Sequence, residues 1–383
     1  SFESIAKPDS GAWMRAFFAR FKAIEAVDAK TVRLVLAEPD ATLLPSLASY
    51  DAVVVSRRSM QETPDRPAGA GPYVVTGVER GAWIKLEAFR NFYRPGLPRT
   101  PALTFVVYAD ENARVAALEA GDVDLIEYVP AFSMADIEKS RTLTLDAVEG
   151  PASLVIFNVK DGPFKDPRVR RAVAYAIDRQ AIIDGAFAGR GALSGPLPIP
   201  RSSRFFDASM QDYFARDIRK AKALLAEAGM PGGFRTNLLA TSQYSVHRDP
   251  ALVVQQSLAD VGIQAELVLP DWPTRVKLGN EGQYHISVSA TSADNNDPAT
   301  LGPVIGGGLP PAFSRPFGSG NAEVDRLLAA GARELDEARR KAIYAELQKV
   351  SVEDPGILSL VFRAQGYAAR KAVTGFRNIP GFA

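Results

Sequence analysis

The stretch Phe157-Asn158-Val159-Lys160-Asp161-Gly162-Pro163-Phe164-Lys165-Asp166-Pro167-Arg168-Val169-Arg170-Arg171-Ala172-Val173-Ala174-Tyr175-Ala176-Ile177-Asp178-Arg179 anchors the reading of this chain. The apolar run Leu154-Val155-Ile156-Phe157 that leads into it reads as a buried strand, and Gly162-Pro163 breaks it. Asp166-Pro167 then offers a capping carboxylate, followed by a proline whose missing N–H costs nothing at a first helical position. In the helix that follows, Val169, Ala172, Val173, Ala176 and Ile177 recur at the helical period, and Arg168, Arg170, Arg171, Asp178 and Arg179 take the other positions. Capping and surface charge are enough to explain Asp166, Arg168 and Arg170 without any ligand.

At 383 residues the chain exceeds the usual size of one hydrophobic core, so two domains or lobes are expected. Its 46% hydrophobic and 23% charged residues are those of an ordinary globular protein. A formal net charge of +1 gives no reason to invoke nucleic acid or an anionic membrane. Cysteine is absent, which excludes thiolate metal sites, a cysteine nucleophile and disulfides. No apolar run approaches the ~20 residues of a membrane helix. Ser1-Phe2-Glu3 lacks the basic start and apolar core of a secretion signal, so the address of an exported protein is expected upstream.

Residues 24–36 form two short apolar runs around Asp28-Ala29-Lys30, a hairpin signature. Residues 63–71, rich in Pro, Gly and Ala, suggest a boundary. Gly69-Ala70-Gly71 is followed by no helical pattern and so is not a phosphate loop. Asp110 caps a helix over residues 113–120 that Gly121 ends, and residues 123–126 return as a strand. Beyond the anchoring stretch, helices at 217–228 and 251–261 alternate with strands at 234–240, 263–269 and 284–290, and a short helix follows Asp271-Trp272-Pro273. This alternation indicates an α/β lobe with a largely parallel sheet. Two helical segments at 324–348 and a buried strand at 357–362 complete the pattern.

The pattern F-N-x-x-x-x-P-F-x-D-x-R-V-R-x-A-x-x-Y-A-I-D-R at 157–179 resembles the strand-to-helix crossover of the extracytoplasmic solute-binding proteins of family 5, the peptide, dipeptide and nickel receptors of ABC importers. Residues 24–36, 69–73, 83–93 and 114–124 resemble further segments of that family. The resemblance implies an α/β periplasmic binding protein-like type II fold, two lobes with a hinge, in which the first lobe is incomplete. Residues 1–66 would be a remnant of the extra subdomain of lobe one, 67–158 plus 357–383 lobe one, and 159–356 lobe two. Ser1-Phe2-Glu3-Ser4 resembles a family helix well inside the first lobe, so the chain is expected to be truncated at its N-terminus and clipped at its C-terminus.

It further implies a periplasmic substrate-binding component of an ABC transporter, a monomer without a cofactor, which captures a peptide or related small solute and delivers it to the membrane permease. Ligands of open α/β sheets collect beyond the carboxyl ends of the strands. Asp294, in Ser292-Ala293-Asp294-Asn295-Asn296-Asp297-Pro298, matches the family aspartate that holds a peptide ammonium, with Asn295 beside it; an Asx-turn or a helix cap explains the same residue. Asp297 is expected to be a cap. Trp272 aligns with a tryptophan lining the peptide site and is equally good core material. Arg248 sits close to a family arginine that binds the ligand carboxylate, and a plain surface charge is the other reading. The family's second basic residue is not matched, because Val288 and its neighbours are apolar or small.

Catalysis finds little support, with only His247 and His285, no G-x-S-x-G elbow and no H-E-x-x-H pair. Two histidines and no cysteine also make a protein-only metal cage improbable, so no metal ligands are assigned. A receptor for a metal chelate or other non-peptide solute, and a ligand-sensing domain of a regulator, are the alternatives.

Overall fold

The computed structural model describes residues 1–12, 14–49, 52–62, 68–291 and 297–379. The chain divides into two compact units, Ser1–Ala109 and Asp110–Ala383.

In the first unit the strands Phe21–Ala26 and Val32–Leu36 pair as the expected antiparallel hairpin. Phe21, at its start, packs edge-on against Phe17 and Phe18 of the short helix Arg15–Phe18, and Phe18 stacks on Phe2 of the helix Phe2–Ala6. A separate three-stranded antiparallel sheet is built from Tyr73–Glu79, Trp83–Ala88 and Ala102–Val106.

The second unit is organised by two long strands. Leu143–Phe157 and Ile357–Arg370 pair antiparallel over nearly their whole length, from Leu143 opposite Arg370 to Ile156 opposite Ile357. Bulges between Ser359 and Val361 and between Phe362 and Ala364 interrupt the register at mid-length. The partner strand places Gly150 there, where a Cβ would stand 2.6 Å from Cβ of Gln365, so only glycine lets the strands approach this closely. At one end of the pair, Ile286–Thr291 lies antiparallel to Leu143–Phe157, and Arg235–Leu239 and Gln264–Val268 continue the sheet in parallel. At the other end Leu125–Ile126 pairs with Ala368 and Ala369.

The three strands that alternate with helices, Arg235–Leu239, Gln264–Val268 and Ile286–Thr291, run parallel as expected. The sheet as a whole is mixed, because Ile286–Thr291, Gly191–Leu193 and Leu125–Ile126 each run against the long strand they pair with. The run 154–157 reads as continuously apolar because both of its faces are buried. Val155 and Phe157 pack in one core with the helices Pro167–Ala176 and Ser245–Ala259, and Leu154 and Ile156 pack in another with Leu327, Tyr344 and Leu347. A third core, around Leu118, Ile126, Met134, Ile137, Leu143 and Ala368, gathers at the far end of the long strands.

The anchoring stretch is a set of ties. The buried Asn158 amide donates to the carbonyls of Gly282 (3.0 Å) and Tyr284 (3.1 Å), and its oxygen accepts from the N–H groups of Lys160 and Asp161. Asp166 caps the helix Pro167–Ala176 through the Arg168 N–H at 2.8 Å and holds the Arg168 guanidinium. Arg170 is buried, donates to the carbonyls of Pro355, Phe164 and Lys165, and pairs with Asp354. Asp166 is the expected cap and Arg168 the expected exposed charge, whereas Arg170, read as a surface charge, is buried because backbone carbonyls and Asp354 surround it.

Candidate functional site

The expected helix at 251–261 begins earlier, at Ser245, and runs to Ala259 with Pro250 inside it. Proline reads as a breaker in sequence, but the first turn here is held from a distant element. Both oxygens of Glu111, at the start of the helix Glu111–Ala120, accept from Ser245: one from its N–H at 2.9 Å, the other from its hydroxyl at 2.6 Å. The preceding residue, Tyr244, makes no side-chain cap of its own. A carboxylate placed on a helix N-terminus satisfies an orphan N–H and opposes the positive end of the dipole.

Arg248 is consequently a helical residue. Its Nε donates to Asp249 at 2.7 Å, and its side chain is close to half exposed. The bond to Asp249 raises its pKa above the ordinary arginine value. The ion pair with its neighbour occupies the Nε of Arg248.

Trp272 opens the helix Trp272–Asn280, whose Asp271 cap accepts from the Thr274 N–H at 2.9 Å. It follows the strand Gln264–Val268, and His247 follows the adjacent strand Arg235–Leu239, so both stand beyond carboxyl ends of parallel strands. The half-buried indole meets Tyr244 edge-on at 5.4 Å and Phe313 edge-on at 5.5 Å, and lies 5.4 Å from the His247 ring. One helical turn on, Arg275 is 0% exposed, with its guanidinium 5.4 Å from the Trp272 ring and 5.1 Å from that of Phe313. Arg275 donates to the carbonyl of Val288 at 3.2 Å and to that of Phe313 at 3.4 Å. A cation thus reaches the strand position where the basic residue expected from the family is missing, but it comes from another element.

His247 is buried, and burial together with the nearby guanidinium groups of Arg275 and Arg363 pushes its pKa down to about 3. Its imidazole is therefore neutral at physiological pH. Arg363 sits at the second bulge of the long strand Ile357–Arg370, 5% exposed, with its guanidinium 5.9 Å from the Tyr128 ring. Tyr128 holds φ +54°, in the left-handed region, with its carbonyl fixed by Arg114 at 3.2 Å. For a bulky side chain that conformation stores about 1–2 kcal/mol.

Trp272 thus belongs to an aromatic wall with Tyr244 and His247, and Arg248 turns to Asp249. Asp294 and Asn295 lie outside the described residues. Asp297 is a cap, accepting from the Ala299 N–H at 3.0 Å, and pairs with Arg340 at 3.0 Å. Sequence reasoning missed Tyr128, Arg275 and Arg363. The spacing of Trp272 and Arg275, three apart on one helix face, was the available signal for the second. Among the described residues no three His, Cys, Asp or Glu side chains gather as metal ligands, and no helix is long and apolar enough to cross a membrane. A cavity of about 290 Å³ lined by Lys165, Arg170 and Asn321 shares no residue with this wall.

The family model described as bacterial extracellular solute-binding proteins, family 5 (middle) matches residues 1–307. The chain belongs to this family. Its relatives include the glutathione-binding protein GsiB of Pectobacterium atrosepticum, 30% identical over 99% of this chain and 76% of that protein. The glutathione-binding protein GsiB of Shigella flexneri is 29% identical over 93% of this chain and 71% of that one. Among solved structures, the PBP AgaA of A. tumefaciens, in complex with agropinic acid, is 37% identical with a TM-score of 0.90, covering 99% of this chain and 78% of that one. DppA of Helicobacter pylori, in complex with a peptide, superposes with a TM-score of 0.84 over 94% and 72% of the two chains at 23% identity, a likeness of fold.

As a family 5 member with the type II binding-protein fold, the chain is the substrate-binding component of an ABC transporter. Its family comprises extracytoplasmic binding proteins that deliver small ligands to membrane permeases.

Proposed function

We propose that this protein is a periplasmic, non-enzymatic receptor that closes on a small solute between two lobes, residues 67–158 plus 357–383 forming one and 159–356 the other. The observation that carries this reading is the aromatic wall of Trp272, Tyr244 and His247 at the carboxyl ends of parallel strands. The helix N-terminus adjoining that wall is already engaged by Glu111, from the segment preceding the first long strand. Hinge closure is a population shift, so the solute must touch groups from both sides of the gap. The bulged middle of the two long strands is the place where bending costs least, because ladder bonds are already interrupted there.

Trp272 is proposed as the flat apolar wall of the solute site. Asp294 and Asn295 are proposed, from the family pattern alone, as acceptors for an ammonium group of the solute.

A non-peptide solute is favoured over a simple dipeptide by two observations. Val288 and its neighbours lack the family's second basic residue. AgaA, whose structure holds agropinic acid, is similar to this chain at 37% identity, above the 30% of the GsiB relative from P. atrosepticum.

Thermal-shift screening of the whole chain against short peptides, glutathione, agropinic acid and nickel chelates tests the reading, because a solute that binds only the folded form raises the melting temperature by mass action. A saturable shift with one class, lost in Trp272→Ala, is expected. Shifts with nickel chelates alone would replace this reading with the chelate receptor.

A further inference from the structure

We infer that the solute is an acid and that Arg363, on the bulge of the strand Ile357–Arg370, is the cation kept for its carboxylate. The inference rests on the receptor reading above and names the chemistry of the ligand.

Arg363 is 95% buried, yet no described carboxylate stands within 4.0 Å of it, and its Nε has no partner. The field it feels comes from Tyr128 and, after it, from Glu111, whose carboxylate is not paired with it and is held by Ser245 through both oxygens. Arg275 repeats the pattern, with no exposure, no paired acid among the described residues and an unpartnered Nε. Between them His247 adds a neutral ring with an unpartnered Nδ1. Two guanidinium groups and an imidazole are thus buried in one region, and among the described residues no carboxylate pairs with either guanidinium.

Burying an ion without a partner is costly, several kcal/mol even after relaxation. Burial shows its cost in both guanidinium groups, pulling the Arg363 pKa below the ordinary arginine value and that of Arg275 down to about 10. A chain that needed only packing would place an apolar side chain here. The backbone supports the same conclusion. The bulge re-aims Arg363 out of the regular alternation of its strand, and Tyr128, beneath the guanidinium, is held in a strained left-handed conformation.

A carboxylate entering beside Tyr128 would supply the missing charge and the planar acceptor that guanidinium donors fit. Arg275 lies behind Trp272 and Phe313, with its two Nη groups turned to the carbonyls of Phe313 and Val288. It contributes a field at the aromatic wall and leaves the direct contact to Arg363.

The test compares the whole wild-type chain with Arg363→Gln and Arg363→Lys. Each is screened by thermal shift and calorimetry against a panel of small amino-acid and peptide acids, glutathione and agropinic acid included, every acid paired with its methyl ester. Wild type is expected to be stabilised by an acid and not by its ester. Arg363→Gln is expected to lose at least about tenfold in affinity for that acid, the lower end for a bond to a charged group, and Arg363→Lys to recover part of it. The melting temperature of unliganded Arg363→Gln is expected to rise, since an unpaired buried charge has gone; an arginine with a purely structural role would leave it lower. Equal stabilisation by acid and ester, or unchanged affinity in Arg363→Gln, would overturn the assignment of Arg363. Absence of any shift across both halves of the panel would remove the receptor reading, and the inference with it.

Discussion

Glu111 and Ser245, 134 residues apart in sequence, share two hydrogen bonds, and through them a helix of one part of the chain is capped by a carboxylate of another. The contact joins the element that precedes the first long strand to the helix that carries His247. It is therefore placed to favour one relative position of the two.

Removing either partner should cost the helix its cap. Glu111→Ala and Ser245→Ala are each expected to lower stability by about 1 kcal/mol. The double variant should lose little more than Glu111→Ala alone, because that change already removes both bonds, whereas Ser245→Ala leaves the one from the backbone N–H. Urea unfolding of the four proteins gives the cycle; full additivity would mean that the two residues act separately. Small-angle scattering of the unliganded Glu111→Ala variant should also show a larger radius if the pair holds the gap shut.

Arg170 is expected to be among the most sensitive positions of the anchoring stretch. Arg170→Met strands three backbone carbonyls and Asp354, and should destabilise the protein by about 3 kcal/mol, the lower end for a broken buried pair, since Asp354 keeps access to water. A loss below about 1 kcal/mol in denaturant titration would show that these bonds are replaceable by solvent.

Asn158 answers four backbone groups at once. Asn158→Ala should cost about 2–3 kcal/mol, the penalty for unpaired buried groups less what water recovers. Asn158→Asp should do no better, since a carboxylate cannot donate to the carbonyls of Gly282 and Tyr284. Thermal unfolding of both variants decides this.

His247 makes stability depend on pH in a defined direction. Its folded pKa, about 3, lies below the ordinary 6.5, so the unfolded chain binds the proton first. The stabilisation is whole above about pH 6.5 and is lost as pH falls toward 3, at about 1.4 kcal/mol per pH unit. Unfolding free energies measured between pH 6 and 4 should fall less steeply in His247→Gln. An identical slope would mean that the imidazole is solvated.

The fold of this protein was largely readable from its sequence because the signals that set it are local. Asp166-Pro167, Asp110 with Gly121, and Asp271 each cap a helix through atoms within a few residues, and the alternation of residues 263–269 follows from the pleat. Family membership was readable for the same reason, since the ties made by Asn158, Asp166 and Arg170 constrain adjoining residues to one pattern. The extent of the long strands was not, because residues 144–149 are only partly buried and residues 143–153 lack a continuous apolar run. Nor was the start of the helix at Ser245, whose cap arrives from Glu111. The tertiary structure alone decided where the charges go. Arg248, near the family's carboxylate-binding arginine in sequence, is paired with Asp249, whereas Arg275 and Arg363, unmarked by any motif, are buried with no paired acid among the described residues. Burial and pairing are properties of what surrounds a side chain, and the surroundings of these residues come from strands and helices far away along the chain.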